Sequence, residues 1–233
     1  MLLAKDVQNI EEDVNYCLNC KVKPCSNKGC PLMNNIPDFI RLVKENKVFE
    51  AYKVLSDTTV LPGVCGRICP HEKQCQGSCV RGIKGEPVSI GKIEAYIYDK
   101  AHEMGYSLKD CYSIPAESKL KVAVIGGGPA GLTCAAFLAR EGVKVTIYEK
   151  YDKLGGILSH GIPEFRLPKK IVEKTINDIL DLGIKVEYNF LLDRKNLDKL
   201  KEEYDAIFLS LGANKSSKMG VVRRKFKWCI WRK

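Results

Sequence analysis

The chain has 233 residues, 45% of them hydrophobic, which is enough for one large domain or two of ordinary size. It contains no apolar run near the roughly 18 residues of a membrane span, and its short apolar start does not resemble a secretory signal. We therefore predict a cytoplasmic protein without a membrane partner, in a compartment where thiols stay reduced.

The net charge of +10 is concentrated at one end of the chain. Residues 214–233 carry eight Lys and Arg and no acidic residue, which leaves a net charge of +2 over residues 1–213. Because the body of the protein is not basic, we predict no nucleic-acid partner. A genuine basic tail that binds nucleic acid or membrane is the alternative.

Residues 1–112 show helical spacing and no convincing alternating strand. Residues 36–55 predict two short helices, and residues 89–105 predict another, with Ser89 as its N-cap and Gly105 as its stop. Residues 61–79 are so rich in Cys, Gly and Pro that we predict no regular structure for them.

Eight of the eleven cysteines fall into two groups in this half of the chain. The first group has the spacing Cys-x2-Cys-x4-Cys-x4-Cys-Pro, and two-cluster ferredoxins use a similar run to supply three ligands to one four-iron cluster and the fourth to another. We therefore predict iron–sulfur clusters, with a zinc site or buried free thiols as the alternatives. The two groups are Cys17, Cys20, Cys25, Cys30 and Cys65, Cys69, Cys75, Cys79.

Residues 113–119 predict a linker, after which strand and helix patterns alternate. Such alternation is typical of a parallel sheet with helices on its faces. The predicted strands are residues 120–126, 143–150, 184–190 and 205–212. The predicted helices are residues 129–142 and 168–183.

The first of these strands leads into the dinucleotide fingerprint Gly126-x-Gly128-x-x-Gly131. Its glycines allow a tight turn and a close approach of a pyrophosphate to the N-terminus of the next helix. Glu149 ends the second strand, 18 residues after Gly131, where it can accept hydrogen bonds from a ribose. The pattern predicts a dinucleotide site, with a merely structural turn as the alternative.

These motifs together resemble the glutamate synthase small-subunit family. The resemblance rests on CLNC…PC…CPLMNNIPDFIRLV, LPGVCGRICPHEKQCQGSCVRG and SIGKIEAY, and it covers nearly all of residues 10–213. The same N-terminal domain occurs in dihydropyrimidine dehydrogenase and in the NADPH-binding subunit of NADH-dependent ferredoxin:NADP oxidoreductase. The resemblance implies an α-helical domain with two 4Fe-4S clusters (residues 1–112), followed by a partial α/β Rossmann-like FAD-binding domain (residues 120–213).

The resemblance also implies the ligands of the clusters. One cluster would be held by Cys17, Cys20, Cys25 and Cys79. The other would be held by Cys30, Cys69, Cys75 and Glu94. The gap between Cys25 and Cys30 is one residue longer than in some relatives. Without the resemblance, Glu94 would be interpreted as a solvated helix carboxylate. Cys65 has no place in this scheme and is predicted to be a buried thiol, as are Cys111 and Cys134.

For the second domain, the resemblance implies FAD. GGPAGL, the glutamate at the end of the second strand and KLGGILSHGIPEFRLPK match the flavin half of the two-dinucleotide flavoprotein fold. The implied cofactor-binding residues are Gly126, Gly128, Pro129, Ala130, Gly131, Glu149, Lys150, Gly155, Gly156, Ile157, Arg166 and Leu167. Because a flavin carries its own redox chemistry, we predict no catalytic side chain, and we interpret His160 as a solvated loop residue.

The resemblance implies an NAD(P)H-dependent oxidoreductase subunit. NADPH would reduce FAD, and the clusters would pass electrons singly to a partner that is either glutamate synthase large-subunit-like or ferredoxin-linked. The alternative is a stand-alone iron–sulfur electron-transfer or interaction module with a vestigial flavin site.

Relatives of this kind continue into a second nucleotide domain for NADPH, whereas this chain diverges from about residue 221. A shift of one nucleotide turns both tryptophan codons of the tail into glycine codons. We therefore interpret the tail as out-of-frame translation, and we expect weak FAD retention and an impaired function.

Overall fold

A computed structural model describes residues 10–213 of the chain. The basic tail at residues 214–233 lies outside the described residues, and so does the hypothesis of a changed reading frame from about residue 221. Within residues 10–213, no helix is long and apolar enough to cross a membrane.

The first half of the described chain is helical, as predicted. Its apolar helix faces share one core, in which Phe39, Tyr52, Ile93 and Tyr98 are almost fully buried. The helices are α1 (Ile10–Tyr16), α2 (Ile36–Lys44), α3 (Val48–Ser56), α4 (Pro62–Ile68) and α5 (Ile90–Glu103). Short helical turns lie at Cys25–Gly29, His71–Lys73, Val80–Ile83 and Leu108–Cys111.

The predicted pair of helices over residues 36–55 is confirmed as α2 and α3. The chain turns between them at Asn46, which adopts a positive φ of 57°, a conformation that Asn tolerates better than most residues. The predicted helix over residues 89–105 is confirmed as α5, which follows Ser89 and ends at Glu103. Gly105, just beyond the end of the helix, has a φ of 86°.

The prediction that residues 61–79 lack regular structure was wrong for α4. Pro62 occupies the first turn of α4, where a missing N–H costs little. The glycines of α4 serve close packing, since a Cβ on Gly63 would lie 2.6 Å from the Tyr98 ring. A Cβ on Gly66 would lie 2.6 Å from the backbone nitrogen of Ala95. These glycines therefore let α4 lie directly against α5.

The second half of the described chain is a parallel four-stranded sheet in the order β3-β2-β1-β4, with helices on its faces. Its strands are β1 (Lys121–Ile125), β2 (Lys144–Tyr148), β3 (Lys185–Glu187) and β4 (Ala206–Leu209). Its helices are α6 (Pro129–Arg140), α7 (Ile157–His160), α8 (Lys169–Leu180) and α9 (Arg194–Glu203). The four predicted strands and both predicted helices are confirmed, whereas the sequence analysis missed α7 and α9.

The two faces of the sheet are covered by different helices. Val124 and Leu132 belong to a large core with α6 and α8, whereas Ala123 and Ile125 pack with Leu200 of α9. This alternation follows from the period of two along a strand. Residues 113–119, the predicted linker, form neither helix nor strand, and their role as a domain boundary remains a prediction.

A buried polar contact joins α5 to α8 and so holds the two halves together. The Tyr98 hydroxyl lies 3.1 Å from Thr175 Oγ1, and His102 Nε2 lies 2.7 Å from Asp178 Oδ2. The other ring nitrogen of His102 lies 2.7 Å from the Tyr98 carbonyl oxygen. Because these groups are shielded from water, each depends on its partner.

Replacing Asp178 with alanine is expected to lower the free energy of unfolding by about 2–4 kcal/mol, because a buried imidazole nitrogen loses its acceptor. For a chain of this size, the melting temperature should fall by about 5–15 °C, measured at one fixed scan rate. Asp181→Ala, at the exposed end of the same helix, is the control and should change stability by less than about 0.5 kcal/mol. Equal shifts in the two variants would contradict the importance of this contact.

Candidate functional site

Four cysteines from three separate segments line one cavity in the helical half. They are Cys17, Cys20, Cys25 and Cys79. The rest of the wall is largely apolar, and includes Ile36, Ile40 and Val88. Cys17 and Cys20 follow α1, Cys25 begins a helical turn, and Cys79 arrives from the second cysteine group. This set is the quartet that the family resemblance implied for one cluster.

Two thiols of this quartet, Cys17 and Cys25, are poor acids in the absence of a cation. Burial raises the pKa of Cys25 to about 11. Burial also raises the pKa of Cys17, and the neighbouring Cys79 and Cys20 add to that rise. A bound cation deprotonates a coordinating thiol outright, so a positively charged metal group would stabilise the thiolates that the protein alone disfavours.

A π-helical turn fills the gap between Cys25 and Cys30. Residues Cys25–Gly29 form this turn, and the Cys30 backbone N–H donates to the Cys25 carbonyl oxygen at 2.9 Å. A π-helical turn holds one residue more than an α-helical one. The turn therefore accommodates the four residues between these two cysteines, which the resemblance assigns to different quartets.

The second group of ligands gathers around Cys75. Burial raises the pKa of Cys75 to about 12, and the nearby Glu94, Cys30 and Cys69 contribute to the rise. These four residues are the second quartet that the resemblance implied. They come from the first cysteine group, from the end of α4, from the loop after it and from α5.

Glu94 is buried, so its interpretation as a solvated helix carboxylate was wrong. Only 7% of the residue is exposed, and its position follows from the close packing of α4 on α5. Burial raises the pKa of this carboxyl to about 8, with a further contribution from Cys69. A buried carboxyl beside three thiols has the chemistry of a metal ligand.

Within the described residues, no three His, Cys, Asp or Glu side chains converge closely enough to hold one metal ion. The ligands of a four-iron cluster bind different iron atoms and need not meet at one point. Both quartets therefore fit the donor set of a polynuclear cluster.

Among residues 10–213, three other cysteines lie outside the two quartets. Cys111 is buried, as predicted, and Cys134 is only partly buried. Cys65 is also partly buried. Its side chain hydrogen-bonds with Cys69 and lies near Glu94.

His71 is a residue at this site that the sequence analysis missed. Among the described residues, its buried Nε2 atom has no hydrogen-bond partner, and it lies 4.0 Å from Glu94 Oε2. Burial lowers the pKa of His71, and the charge of Arg166 lowers it further. A lone histidine in a cysteine-rich loop gives no sequence signal of this kind, because the contact depends on α5.

The glycine turn after β1 has the geometry of a dinucleotide site. Gly126 has a φ of 102°, and a Cβ there would lie 2.4 Å from the Ser210 carbonyl oxygen. A Cβ on Gly131 would lie 1.9 Å from the Gly126 carbonyl oxygen. Among the described residues, the nearest atom to a Cβ on Gly128 would be Gly156 Cα, at 4.0 Å. The turn is thus tight at its ends and open at Gly128, where a ligand would approach.

The loop after β2 lies directly on this turn. The Gly155 N–H donates to the Gly127 carbonyl oxygen at 2.8 Å, and Gly156 faces Gly128. The N-terminus of α6, with Pro129 and Ala130 in its first turn, opens beside them. The structure therefore brings the two predicted glycine segments together at one helix N-terminus, which suits a phosphate group.

Glu149 is 6% exposed and stabilises the turn itself. Its Oε2 accepts from the Gly127 N–H at 2.7 Å, and its Oε1 accepts from the Tyr151 N–H at 3.0 Å. An ionised carboxylate accepts about four hydrogen bonds, so two sites remain for a ribose. The ribose contact predicted from the sequence is compatible with this geometry.

The remaining predicted cofactor residues differ in exposure. Ile157 is 63% exposed, whereas Leu167 is fully buried in the sheet core. The ammonium of Lys150 lies 4.7 Å from the centre of the Tyr151 ring. Arg166 is exposed. His160 is also exposed, in agreement with its interpretation as a solvated residue.

Comparisons with known proteins place these sites in a family context. Residues 3–106 match the family described as dihydropyrimidine dehydrogenase domain II, 4Fe-4S cluster. Residues 124–169 match the NAD(P)-binding Rossmann-like domain.

Three curated relatives illustrate the similarity over most of the chain. The glutamate synthase [NADPH] small chain of Escherichia coli (strain K12) is 41% identical over 206 residues, which are 88% of this chain and 43% of that protein. The corresponding chain of Azospirillum brasilense is 38% identical over 90% of this chain and 43% of that protein. The NAD-dependent dihydropyrimidine dehydrogenase subunit PreT of Salmonella typhimurium is 34% identical over 86% of this chain and 48% of that protein.

The chain spans less than half the length of these relatives. Over that part, helical cysteine quartets and a glycine turn on a parallel sheet coincide with the two matched families. Over most of its described length the chain is therefore similar to the glutamate synthase small chains, and it matches a 4Fe-4S domain model followed by an NAD(P)-binding Rossmann-like domain model.

Proposed function

We propose that this chain is an electron-transfer subunit of an NAD(P)H-dependent oxidoreductase, with two 4Fe-4S clusters and FAD. The main support is the quartet Cys17, Cys20, Cys25 and Cys79, which comes from distant parts of the chain and lines a single cavity. A set of four thiols around an apolar cavity has no structural purpose as free thiols, whereas it suits a cluster.

The first cluster would be held by Cys17, Cys20, Cys25 and Cys79. The second would be held by Cys30, Cys69, Cys75 and Glu94, the set that surrounds Cys75. When bound, the clusters supply one-electron chemistry, and the flavin exchanges electron pairs with a nicotinamide. The protein's own part is to hold both quartets away from water and to keep them close to the loop around Gly155 and Gly156.

FAD is proposed for the Rossmann-like half because the loop around Gly155 and Gly156 lies on the glycine turn, as the flavoprotein resemblance requires. The same segment of chain continues to Arg166, whose charge reaches His71 beside the second quartet. This electrostatic influence supports a short path between the proposed flavin site and the proposed second cluster.

The donor and the partner are proposed from the relatives. The relatives in Escherichia coli and Azospirillum brasilense are named as NADPH-dependent small chains, so we propose NADPH as the electron donor of the whole protein. A large glutamate-synthase-like chain or a ferredoxin-linked protein would be the acceptor. A cytoplasmic location fits the ten free cysteines of residues 10–213.

Iron analysis tests the two quartets. The protein purified without oxygen is expected to contain about eight iron and eight sulfide per chain. Cys79→Ser and Cys75→Ser should each remove about half of the iron and leave the electron paramagnetic resonance signal of the other cluster. Cys111→Ser is the control and should keep all of it. Zinc in place of iron, or full iron in both ligand variants, would contradict the assignment.

Flavin binding tests the glycine turn. Gly128→Ala should fold normally, because Gly128 has a φ of −78° and the added methyl meets open space. The methyl would occupy the approach of the pyrophosphate, at a cost of about 1–3 kcal/mol, so the Kd for added FAD should rise by about 5- to 150-fold. Gly82→Ala, in the helical half, should leave it unchanged. Iron without any flavin in the unaltered protein would favour the stand-alone iron–sulfur module.

The first quartet lies beside a rim of exposed apolar side chains, which we propose as the docking surface of the partner. Leu18 and Val80 line the cavity of this quartet. Val22 and Ile83, each 76% exposed, follow them four and three residues later in the chain, and we call these four residues the rim. Arg81 stacks on the Tyr16 ring at 4.3 Å and joins the two loops of the rim. Apolar patches around a functional centre are typical of interaction surfaces.

Replacing Val22 and Ile83 together with serine should slow electron transfer from the reduced protein to an added plant-type ferredoxin several-fold. Ferricyanide reduction should be unchanged, because a small oxidant needs no docking surface. Leu191→Ser, another exposed apolar residue in the sheet half, serves as the control. Equal rates with the ferredoxin in all three proteins would place the partner elsewhere.

A further inference from the structure

Cys65 belongs to the second cysteine group, yet neither quartet includes it. It lies in α4 one turn before Cys69, and the Cys69 backbone N–H donates to the Cys65 carbonyl oxygen at 3.2 Å. Residues four apart on a helix lie on the same face. The helix therefore holds the Cys65 side chain next to the ligand Cys69.

A directed chain of hydrogen bonds ends at this pair. The Leu61 backbone N–H donates to Thr59 Oγ1 at 3.1 Å. Since that oxygen is engaged as an acceptor, its own hydrogen is free for Cys65 Sγ, which lies 3.7 Å away. The thiol hydrogen of Cys65 is then free for the Cys69 sulfur, and the two side chains are hydrogen-bonded.

The chemistry of a loaded site agrees with this direction of donation. A cluster ligand must be a thiolate, which can only accept a hydrogen bond. If Cys69 binds iron, Cys65 is therefore the proton-bearing member of the pair.

We propose that Cys65 is a positioning residue whose thiol donates a hydrogen bond to the ligating sulfur of Cys69 and raises the reduction potential of that cluster. The inference rests on the proposed function, because it requires a cluster on Cys69. A reduced cluster carries one more negative charge, and a hydrogen bond to its sulfur stabilises that charge. The rigid helix and Thr59 fix the donor, so the effect should be specific to one of the two clusters.

Redox titration of the anaerobically purified full chain, followed by electron paramagnetic resonance, tests this role. Cys65→Ala should keep all iron and shift the potential of one cluster downward, while the other cluster keeps its potential. Cys65→Ser should shift the potential of the affected cluster less than Cys65→Ala does, because a hydroxyl still donates a hydrogen bond. Thr59→Val leaves Cys65 in place but removes the hydroxyl that contacts its sulfur. It should also shift the potential downward, by less than Cys65→Ala does. Cys111→Ala, another buried thiol, should shift neither potential.

Three results would overturn or redirect the inference. An unchanged potential in Cys65→Ala would show that the thiol is a space-filling residue. Loss of about four iron from Cys65→Ala would show that Cys65 is itself a ligand, in the place proposed for Glu94. If the unaltered protein carries no cluster, the proposed function fails, whereas two clusters with no shift in Cys65→Ala refute only the role of Cys65.

Discussion

The close approach of α4 to α5 is the constraint on which the cluster region depends. Gly63 and Gly66 leave no side chain between the two helices, so Tyr98 and the α5 backbone lie against α4. This contact fixes the end of α4, where Cys69 lies, opposite Glu94 on α5. A single added methyl at Gly66 would meet backbone at 2.6 Å, so the distance cannot be relieved by a side-chain rotation. The second quartet is thus assembled by helix packing.

The same packing connects the helical half to the sheet half. Tyr98 contacts α4 with its ring and Thr175 of α8 with its hydroxyl. α8 in turn covers the face of the sheet that carries Val124. A displacement of α5 would therefore move Glu94 relative to the loop at Gly155 and Gly156. The position of Arg166 near His71 depends on this arrangement.

Features with a fixed period or a local motif were predictable from the sequence. The strands over residues 120–126 and 143–150 and the glycine turn between them follow from hydrophobic patterning and from the conformational needs of glycine. Features that depend on contacts between residues far apart in the sequence were not predictable. The glycines of α4 indicated a loop, because sequence alone does not show that Tyr98 lies against them. The burial of Glu94 was hidden for the same reason, since a single acidic residue on a helix is usually exposed.

The quartets themselves lie between these two cases. Spacing alone predicted a cluster but did not determine which cysteines share one, and only the resemblance separated Cys30 from its three neighbours in sequence. In the structure Cys30 follows the π-helical turn at Cys25–Gly29 and lies near Cys75, which is compatible with the predicted separation.

Burial has opposite consequences for the protein with and without iron. In the metal-free protein it raises the pKa of Cys25 and Cys75 well above that of an ordinary thiol, so these two residues persist as neutral thiols. If iron bound there, each cysteine ligand would lose its proton, and the low dielectric that opposed ionisation would strengthen the attraction between thiolate and metal. Binding would therefore release protons and would be favoured as the pH rises. A wet site would bind iron more weakly and would expose the cluster to oxidants. The apolar wall of Ile36, Ile40 and Val88 around the first quartet thus serves both the folding of the helical half and the retention of its metal.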